Sequence, residues 1–178
     1  MKIFDEIPFI EKNQIVIGKI RKSDADGLSV LVNNPNVYRY LPTFLFERKY
    51  TDMDCLTDKI YSECFGNRES VITGIYLKKS CEFCGIAEFY GFNDSMHKIS
   101  IGYRLREEYW GQGIATEAVA LMIEYLYRTD IEIITASTMI ENKASAEVLR
   151  KNGFIMTAHG VPEDWGYESP TLADKWFL

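Results

Sequence analysis

The residues best spaced to do chemistry are Gly111, Gln112 and Gly113, followed by Ile114, Ala115 and Thr116, where a strand pattern meets a helix pattern. The strand pattern, Lys98–Leu105, alternates large apolar residues with small or polar ones. The helix pattern, residues 114–128, sets Ile114, Ala118, Leu121, Met122 and Tyr125 on one face. Glycine lets the backbone turn tightly and approach a ligand without interference from Cβ. The first N–H groups of a helix have no partner within it, and its positive dipole end points the same way. A phosphate or pyrophosphate suits such a turn. Glycine placed for turn geometry alone is the other reading of this spacing.

The second informative segment is Glu141-Asn142-Lys143-Ala144-Ser145-Ala146-Glu147-Val148-Leu149-Arg150-Lys151-Asn152-Gly153-Phe154. A strand over 131–139 leads into a helix that Asn142 can cap and Gly153 can end in the left-handed conformation. Together, the two segments resemble the GNAT superfamily of acetyl-CoA-dependent N-acetyltransferases. Within it the chain is most similar to the RimJ/RimL-like branch, which acetylates ribosomal protein N-termini. The first motif is read in residues 109–118 and the second in residues 141–154. Ile20-Arg21-Lys22-Ser23-Asp24-Ala25 and Asn34-Pro35-Asn36-Val37-Tyr38-Arg39-Tyr40-Leu41 agree with that branch, and the resemblance spans residues 15 to 178.

Composition sets the frame. A chain of 178 residues, 47% hydrophobic and 26% charged, is expected to form one domain, with residues 1–13 as a lead-in. No apolar run approaches the ~20 residues of a membrane helix, and the amino terminus lacks a secretion-signal pattern, so a cytoplasmic protein is expected. A net charge of −6 argues against nucleic acid as a partner. Cys81 and Cys84 have the spacing of half a zinc site, but no second pair of ligands is evident. All four cysteines are therefore expected to be reduced and structural, and no metal is expected.

Along the chain, strand signals cover 14–20, Ser70–Leu77, 83–91 and Lys98–Leu105, with Lys78-Lys79-Ser80 turning between the second and third. Helices are expected from an N-cap at Ser23 to about Val32, and from about Thr51 to about Phe65. The strand–helix–strand unit and two more strands complete a mixed α/β chain with about four helices. The resemblance implies the GNAT fold: a mostly antiparallel central sheet, splayed between the fourth and fifth strands. Acetyl-CoA would enter that wedge as co-substrate.

The resemblance also implies roles. Backbone N–H groups of Gly111, Gln112, Gly113, Ile114, Ala115 and Thr116 would take the pyrophosphate. Leu105 and Arg106 would pair with the pantetheine arm as an added strand, with the Leu105 N–H on the acetyl oxygen. Trp110 stands where the wider superfamily more often has Gln or Arg. The superfamily's tyrosine acid, seven residues past the helix asparagine, is here Leu149, and the branch's serine is Ser145. Ser145 either donates to the leaving sulfur or supports the helix start, and Asn142 either bonds pantetheine or caps. An amine acceptor is largely ammonium at neutral pH, so a base must take its proton. Glu88, inside the strand over 83–91, is the first candidate, and His97 the second.

The expected activity is direct acetyl transfer to a primary amine, on a peptide N-terminus or a small amine such as a polyamine or antibiotic. In the implied fold the aromatic-rich region 36–50 and the loop 162–168 should flank the acceptor side, where carboxylates and aromatic faces suit a cation, although Trp165 and Tyr167 could equally only pack that loop. A non-catalytic acetyl-CoA-binding protein is the competing reading, and a monomer or a homodimer fits either. A nucleoside-triphosphate loop is excluded, because no Gly-Lys-Ser/Thr ends the turn.

Overall fold

The alternating segments assemble into one eight-stranded sheet in the computed structural model, which describes residues 2–178. The strands are β1 (Ile10–Lys12), β2 (Ile15–Gly18), β3 (Ser70–Leu77), β4 (Phe83–Asn93), β5 (Lys98–Leu105), β6 (Ile133–Met139), β7 (Ile155–Glu163) and β8 (Thr171–Phe177). Their order is β1-β2-β3-β4-β5-β6-β8-β7. β5 and β6 run parallel, and the other neighbouring pairs are antiparallel. This is the expected mixed, mostly antiparallel sheet.

Five α-helical segments are described rather than about four: α1 (Ala25–Val32), α2 (Pro35–Tyr38), α3 (Met53–Lys59), α4 (Ile114–Leu126) and α5 (Lys143–Lys151). The addition is α2. Asn33 ends the preceding helix, and Asn34 accepts the Asn36 N–H at 2.9 Å and starts a new one with Pro35 in its first turn. The Asp52 carboxylate caps α3 by accepting the N–H groups of Asp54 and Cys55, and the helix continues as a π-helical stretch through Phe65. Ser23 does not cap α1; it lies in a 3₁₀ turn, and Asp24 is held by the Arg21 N–H and the Tyr76 hydroxyl. The lead-in is also more structured than expected. β1 and β2 form a hairpin whose turn has Asn13 at φ 47°, and Ile3 is fully buried.

Each face of the sheet carries its own core. Ile99, Ile101 and Leu105 of β5 pack with Ala118, Leu121 and Met122 of α4 and Leu149 of α5 on one face. Ile72 and Ile86 pack with Leu28, Leu31 and Leu56 on the other. The sheet opens in its middle. β5 and β6 pair only as Lys98↔Ile133, Ile99↔Ile134 and Ser100↔Thr135, and their remaining residues diverge. Ser100 is also the last regular partner of β4 before that strand's bulge, where Gly91 has φ 63°. A bulge bends and over-twists its strand, so β4 is distorted beside the point where the parallel pairing of β5 ends. The Ser100 and Thr135 hydroxyls, 2.9 Å apart, pin the crotch of this V.

Close contact between β4 and β5 maintains one arm of the V. A Cβ on Gly85 would lie 2.2 Å from the Arg104 carbonyl oxygen and 2.8 Å from the Leu105 Cα. Gly85→Ala should therefore lower stability by about 1–3 kcal/mol, as overpacking does. A urea midpoint equal to that of the wild type would contradict this account of the β4–β5 contact.

Candidate active site

The gap between β5 and β6 opens into a cavity of about 1110 Å³. The hydrogen-bond ladder sets what the gap offers. The Arg106 N–H donates to the Cys84 carbonyl on β4 at 2.8 Å. Alternation along an antiparallel pair then turns the N–H and C=O groups of Tyr103 and Leu105 away from β4, into the gap. Leu105 is thus placed to meet a strand-like ligand. Arg106 is not: its N–H is taken by Cys84, and its guanidinium holds the Phe83 carbonyl and Glu108. Arg106 braces the strand end instead of facing the cavity.

The glycine turn lies on the same cavity. Gly111 and Gly113 have φ of 72° and 79°, and no atom lies within 4 Å of where a Cβ would sit on either. The turn therefore owes its glycines to backbone conformation and to open space in front of it, not to a crowded interior. Ile114, Ala115 and Thr116 continue the cavity wall into α4. This exposed cradle, ending in a helix N-terminus and beside a free strand edge, fits a pyrophosphate followed by an extended amide arm. The Gln112 side chain bends back to the Glu108 carbonyl at 2.6 Å, so only its backbone is left for a ligand. The Trp110 indole N–H donates to the Leu105 carbonyl at 3.0 Å, tying the turn to the strand edge.

The opposite side of the cavity carries charge. Glu88 of β4 and Arg104 of β5 share a sheet face, and the Arg104 Nη1 donates to the Glu88 carboxylate at 2.8 Å. The same guanidinium lies 2.5 Å from Glu47 through Nε and donates to it through Nη2 at 2.7 Å. The Tyr38 hydroxyl donates to Glu47 at 2.8 Å. One cation therefore serves two carboxylates. Glu88 is only 12% exposed yet lines the cavity. Burial raises its pKa, and Glu47 adds to the rise against the opposing pull of Arg104. Nearby, Glu163 at the end of β7 is held by Lys175 and by the Trp165 indole N–H. The Thr43 N–H bonds the Trp165 carbonyl and the Tyr167 hydroxyl bonds that of Leu41, joining the two loops that flank this side.

Between these halves stands the start of α5. The Asn142 side chain accepts the Ser145 N–H at 3.1 Å, so it does cap the helix. Ser145 and Leu149 both line the cavity, with Leu149 buried beside the serine. The Tyr103 hydroxyl donates to the Ser145 Oγ at 3.2 Å. His97 is not brought to the cavity. It sits at the far end of β5 in a left-handed conformation, with Nδ1 2.8 Å from the Asp130 carbonyl. Cys64 lines the cavity too, but burial pushes its thiol up to about 11, which keeps it protonated and a poor nucleophile at neutral pH. The four cysteines are free thiols, and no metal-holding cluster of His, Cys, Asp or Glu occurs among the described residues.

Sequence reasoning placed Glu163 in a loop expected to flank the acceptor side, and residues 163–165 do line the cavity, but it did not single out Tyr103, Arg104 or Glu47. Alternation puts Tyr103 on the face of Ile101 and Leu105, where a tyrosine is indistinguishable from a core residue. Arg104 had a signal: a lone arginine in a strand, on the same face as Glu88 once the β4–β5 hairpin is paired in register. Glu47 lies in the 36–50 region expected to flank the acceptor side, but its pairing with Arg104 had no signal, because only tertiary folding brings the two together.

The acetyltransferase (GNAT) domain model matches residues 14–155. The chain belongs to the GNAT acetyltransferase family. Among curated relatives of this GNAT protein is an N-acetyltransferase of Bacillus licheniformis, p20, 28% identical over 93% of this chain and 91% of the relative. Similar solved structures include the ribosomal L7/L12 α-N-protein acetyltransferase RimL in complex with coenzyme A. It is 19% identical, with a TM-score of 0.79, and the match covers 96% of this chain and 97% of that one. Another is the spermidine N-acetyltransferase of Vibrio cholerae with CoA and spermine, at 17% identity and a TM-score of 0.76 over 94% and 96% of the two chains. At these identities the structural likeness speaks to the GNAT fold. The chain is an N-acetyltransferase of GNAT type. No helix among the described residues is long and apolar enough to cross a membrane.

The open cradle makes a direct prediction. Gly113→Val strains a positive φ and puts branched carbon where backbone N–H groups face the cavity. Coenzyme A affinity by calorimetry should fall at least ten-fold while the variant still folds. Unchanged affinity in a folded variant would show that the turn is not the donor site.

Proposed function

We propose that this chain moves the acetyl group of acetyl-CoA directly to a primary amine, and that the acceptor is a protein N-terminal α-amine. The observation that carries this reading is that one cavity is lined by both the Gly111–Gly113 turn and the Glu88 carboxylate, with Ser145 between them. The donor supplies a thioester carbonyl already activated toward amines. The chain's residues then divide the work. Backbone N–H groups of residues 111–116 hold the pyrophosphate, and the Leu105 N–H, turned into the gap, bonds the acetyl oxygen and favours negative charge there. Asn142 fixes the start of α5, and Ser145 presents its hydroxyl to the sulfur. Glu88, raised above the ordinary carboxylate range, takes the ammonium proton directly or through water. We read the whole chain as one acetyltransferase domain.

Two considerations favour an α-amine. The acceptor side combines carboxylates, Glu163 and Asp164, with the faces of Tyr40 and Trp165, which suits a cation. An α-amine has a reference pKa of about 7.7–8.0 against about 10.4 for an alkylamine such as lysine, so a carboxylate base has much less to do. RimL is named for protein N-termini, and the Vibrio cholerae enzyme for spermidine.

Free-thiol release from acetyl-CoA, measured with N-terminal peptides and with polyamines, tests the acceptor. Release is expected with peptides bearing a free α-amine. Release with polyamines alone would reassign the acceptor, and none with any amine would leave the binding-only reading. Glu88→Gln should lower kcat by roughly 10²–10⁴-fold with coenzyme A affinity unchanged. In the wild type, kcat should fall as the pH drops through the raised Glu88 pKa, and the variant should lack that limb. Wild-type turnover and pH profile in Glu88→Gln would remove Glu88 as the base.

A further inference from the structure

Ser145 lines the cavity at the start of α5 and can donate a hydrogen bond, yet a serine hydroxyl rotates freely and is a weak acid. Its environment restricts that freedom. Its N–H is fixed by the Asn142 side chain at 3.1 Å, which sets the first turn of α5. Its oxygen receives the Tyr103 hydroxyl at 3.2 Å. Tyr103 reaches it from β5, one strand residue before Arg104, with its ring partly buried against the core around α4 and α5. Both side chains line the cavity.

A phenol is the more acidic of two hydroxyls and the serine oxygen the better acceptor, so the direction of this bond is set by chemistry as well as geometry. With one lone pair occupied by Tyr103, the Ser145 proton is left free for another acceptor, and the cavity that Ser145 lines offers room for one. A hydroxyl that accepts a hydrogen bond also becomes a stronger donor, because chained hydrogen bonds polarise one another. Burial pushes the Tyr103 phenol up to about 12, so it stays protonated and keeps donating throughout the neutral range.

We propose that Tyr103 is a positioning residue for acetyl transfer, which orients and polarises the Ser145 hydroxyl toward the departing sulfur. The proposal rests on the reading of Ser145 as the sulfur-side donor. The amine nitrogen forms its bond to the acetyl carbon as the carbon–sulfur bond breaks, and the electron pair goes to sulfur. Glu88 takes one ammonium proton to free the amine, and the second proton, shed by nitrogen as the amide forms, passes to solvent. The chain Tyr103 O–H···Ser145 O–H···S stabilises charge on sulfur without either hydroxyl giving up its proton for good. The released thiolate takes its proton from water. Tyr103 thereby supplies from the sheet part of what the wider superfamily draws from a helix tyrosine, at the position that is Leu149 here.

The test is a double-mutant cycle on the full chain with acetyl-CoA and the best acceptor from the panel. Tyr103→Phe keeps the ring and removes the donor. It should lower kcat roughly two- to twelve-fold, the worth of one neutral hydrogen bond, with KM for acetyl-CoA and the melting temperature unchanged. Ser145→Ala should lower kcat at least as much, and adding Tyr103→Phe to it should cost nothing more. In Ser145→Thr, which keeps the hydroxyl, the Tyr103→Phe loss should return. Losses that multiply in the Tyr103→Phe/Ser145→Ala double variant would overturn the proposal, because Tyr103 would then act without Ser145. A neutral Tyr103→Phe beside an impaired Ser145→Ala would also overturn it, leaving the reading of Ser145 standing. A neutral Ser145→Ala in an active enzyme would overturn that reading and the proposal with it.

Discussion

The site depends on one geometric event, the parting of β5 and β6 after Ser100 and Thr135. Two parallel strands that share three residue pairs and then diverge leave unpaired N–H and C=O groups inside a sheet. Exposed strand edges are normally covered or avoided, and buried polar backbone groups are costly without partners. Here the edges are kept, and the space between them opens into the cavity. Several otherwise unrelated features serve this opening: the β4 bulge at Gly91, the hydroxyl pair at the crotch, and the Trp110 indole closing the Leu105 carbonyl. The opening also joins the two faces of the sheet. A donor held at the α4 turn and an acceptor near Glu88 would lie on opposite faces and meet through the gap, with no conformational relay needed to bring them together.

The second constraint is electrostatic. Glu47, Arg104 and Glu88 form a buried set with two negative charges and one positive, tied to Tyr38 at the end of α2. Burying charge is costly unless it is paired, and a hydrophobic trio could fill this volume more cheaply. What the charged set provides is a carboxylate at the cavity wall whose proton affinity is raised and whose position is fixed by a guanidinium fork. It also fastens the irregular segment after α2 to β5, so that segment and the Glu88 carboxylate are held by a single arginine. The retained cost is an incompletely neutralised Glu88, whose proton affinity burial and Glu47 raise above that of an ordinary carboxylate.

Much of this architecture is legible in the residues. The meander from Ser70 to Leu105 follows from alternation and from turn residues between strands. The α4 and α5 boundaries follow from Gly113, Asn142 and Gly153, whose conformations admit few alternatives. The glycine turn and Glu88 could be read because each is a local anomaly: paired glycines before an amphipathic helix, and a carboxylate inside a buried strand. The missed residues were not anomalous in that way. Tyr103 fits a half-buried strand as well as it fits a site, and its meaning comes from Ser145, 42 residues later. Glu47 reads as one more charge in an aromatic loop until Arg104 reaches it across 57 residues. His97 and Arg106 failed for the opposite reason. Both are chemically suitable, but the first is carried to the wrong end of β5 and the second is consumed by β4.

Steady-state kinetics test most directly the claim that donor and acceptor meet in one cavity. Initial rates are measured over a matrix of acetyl-CoA and α-amine peptide concentrations. Intersecting double-reciprocal lines are expected, because both substrates must be bound before the acetyl group moves, and no acetyl group should remain on the protein when amine is left out. Parallel lines, with one acetyl group carried by the chain in the absence of amine, would contradict the account and point instead to a covalent route through a residue of the cavity.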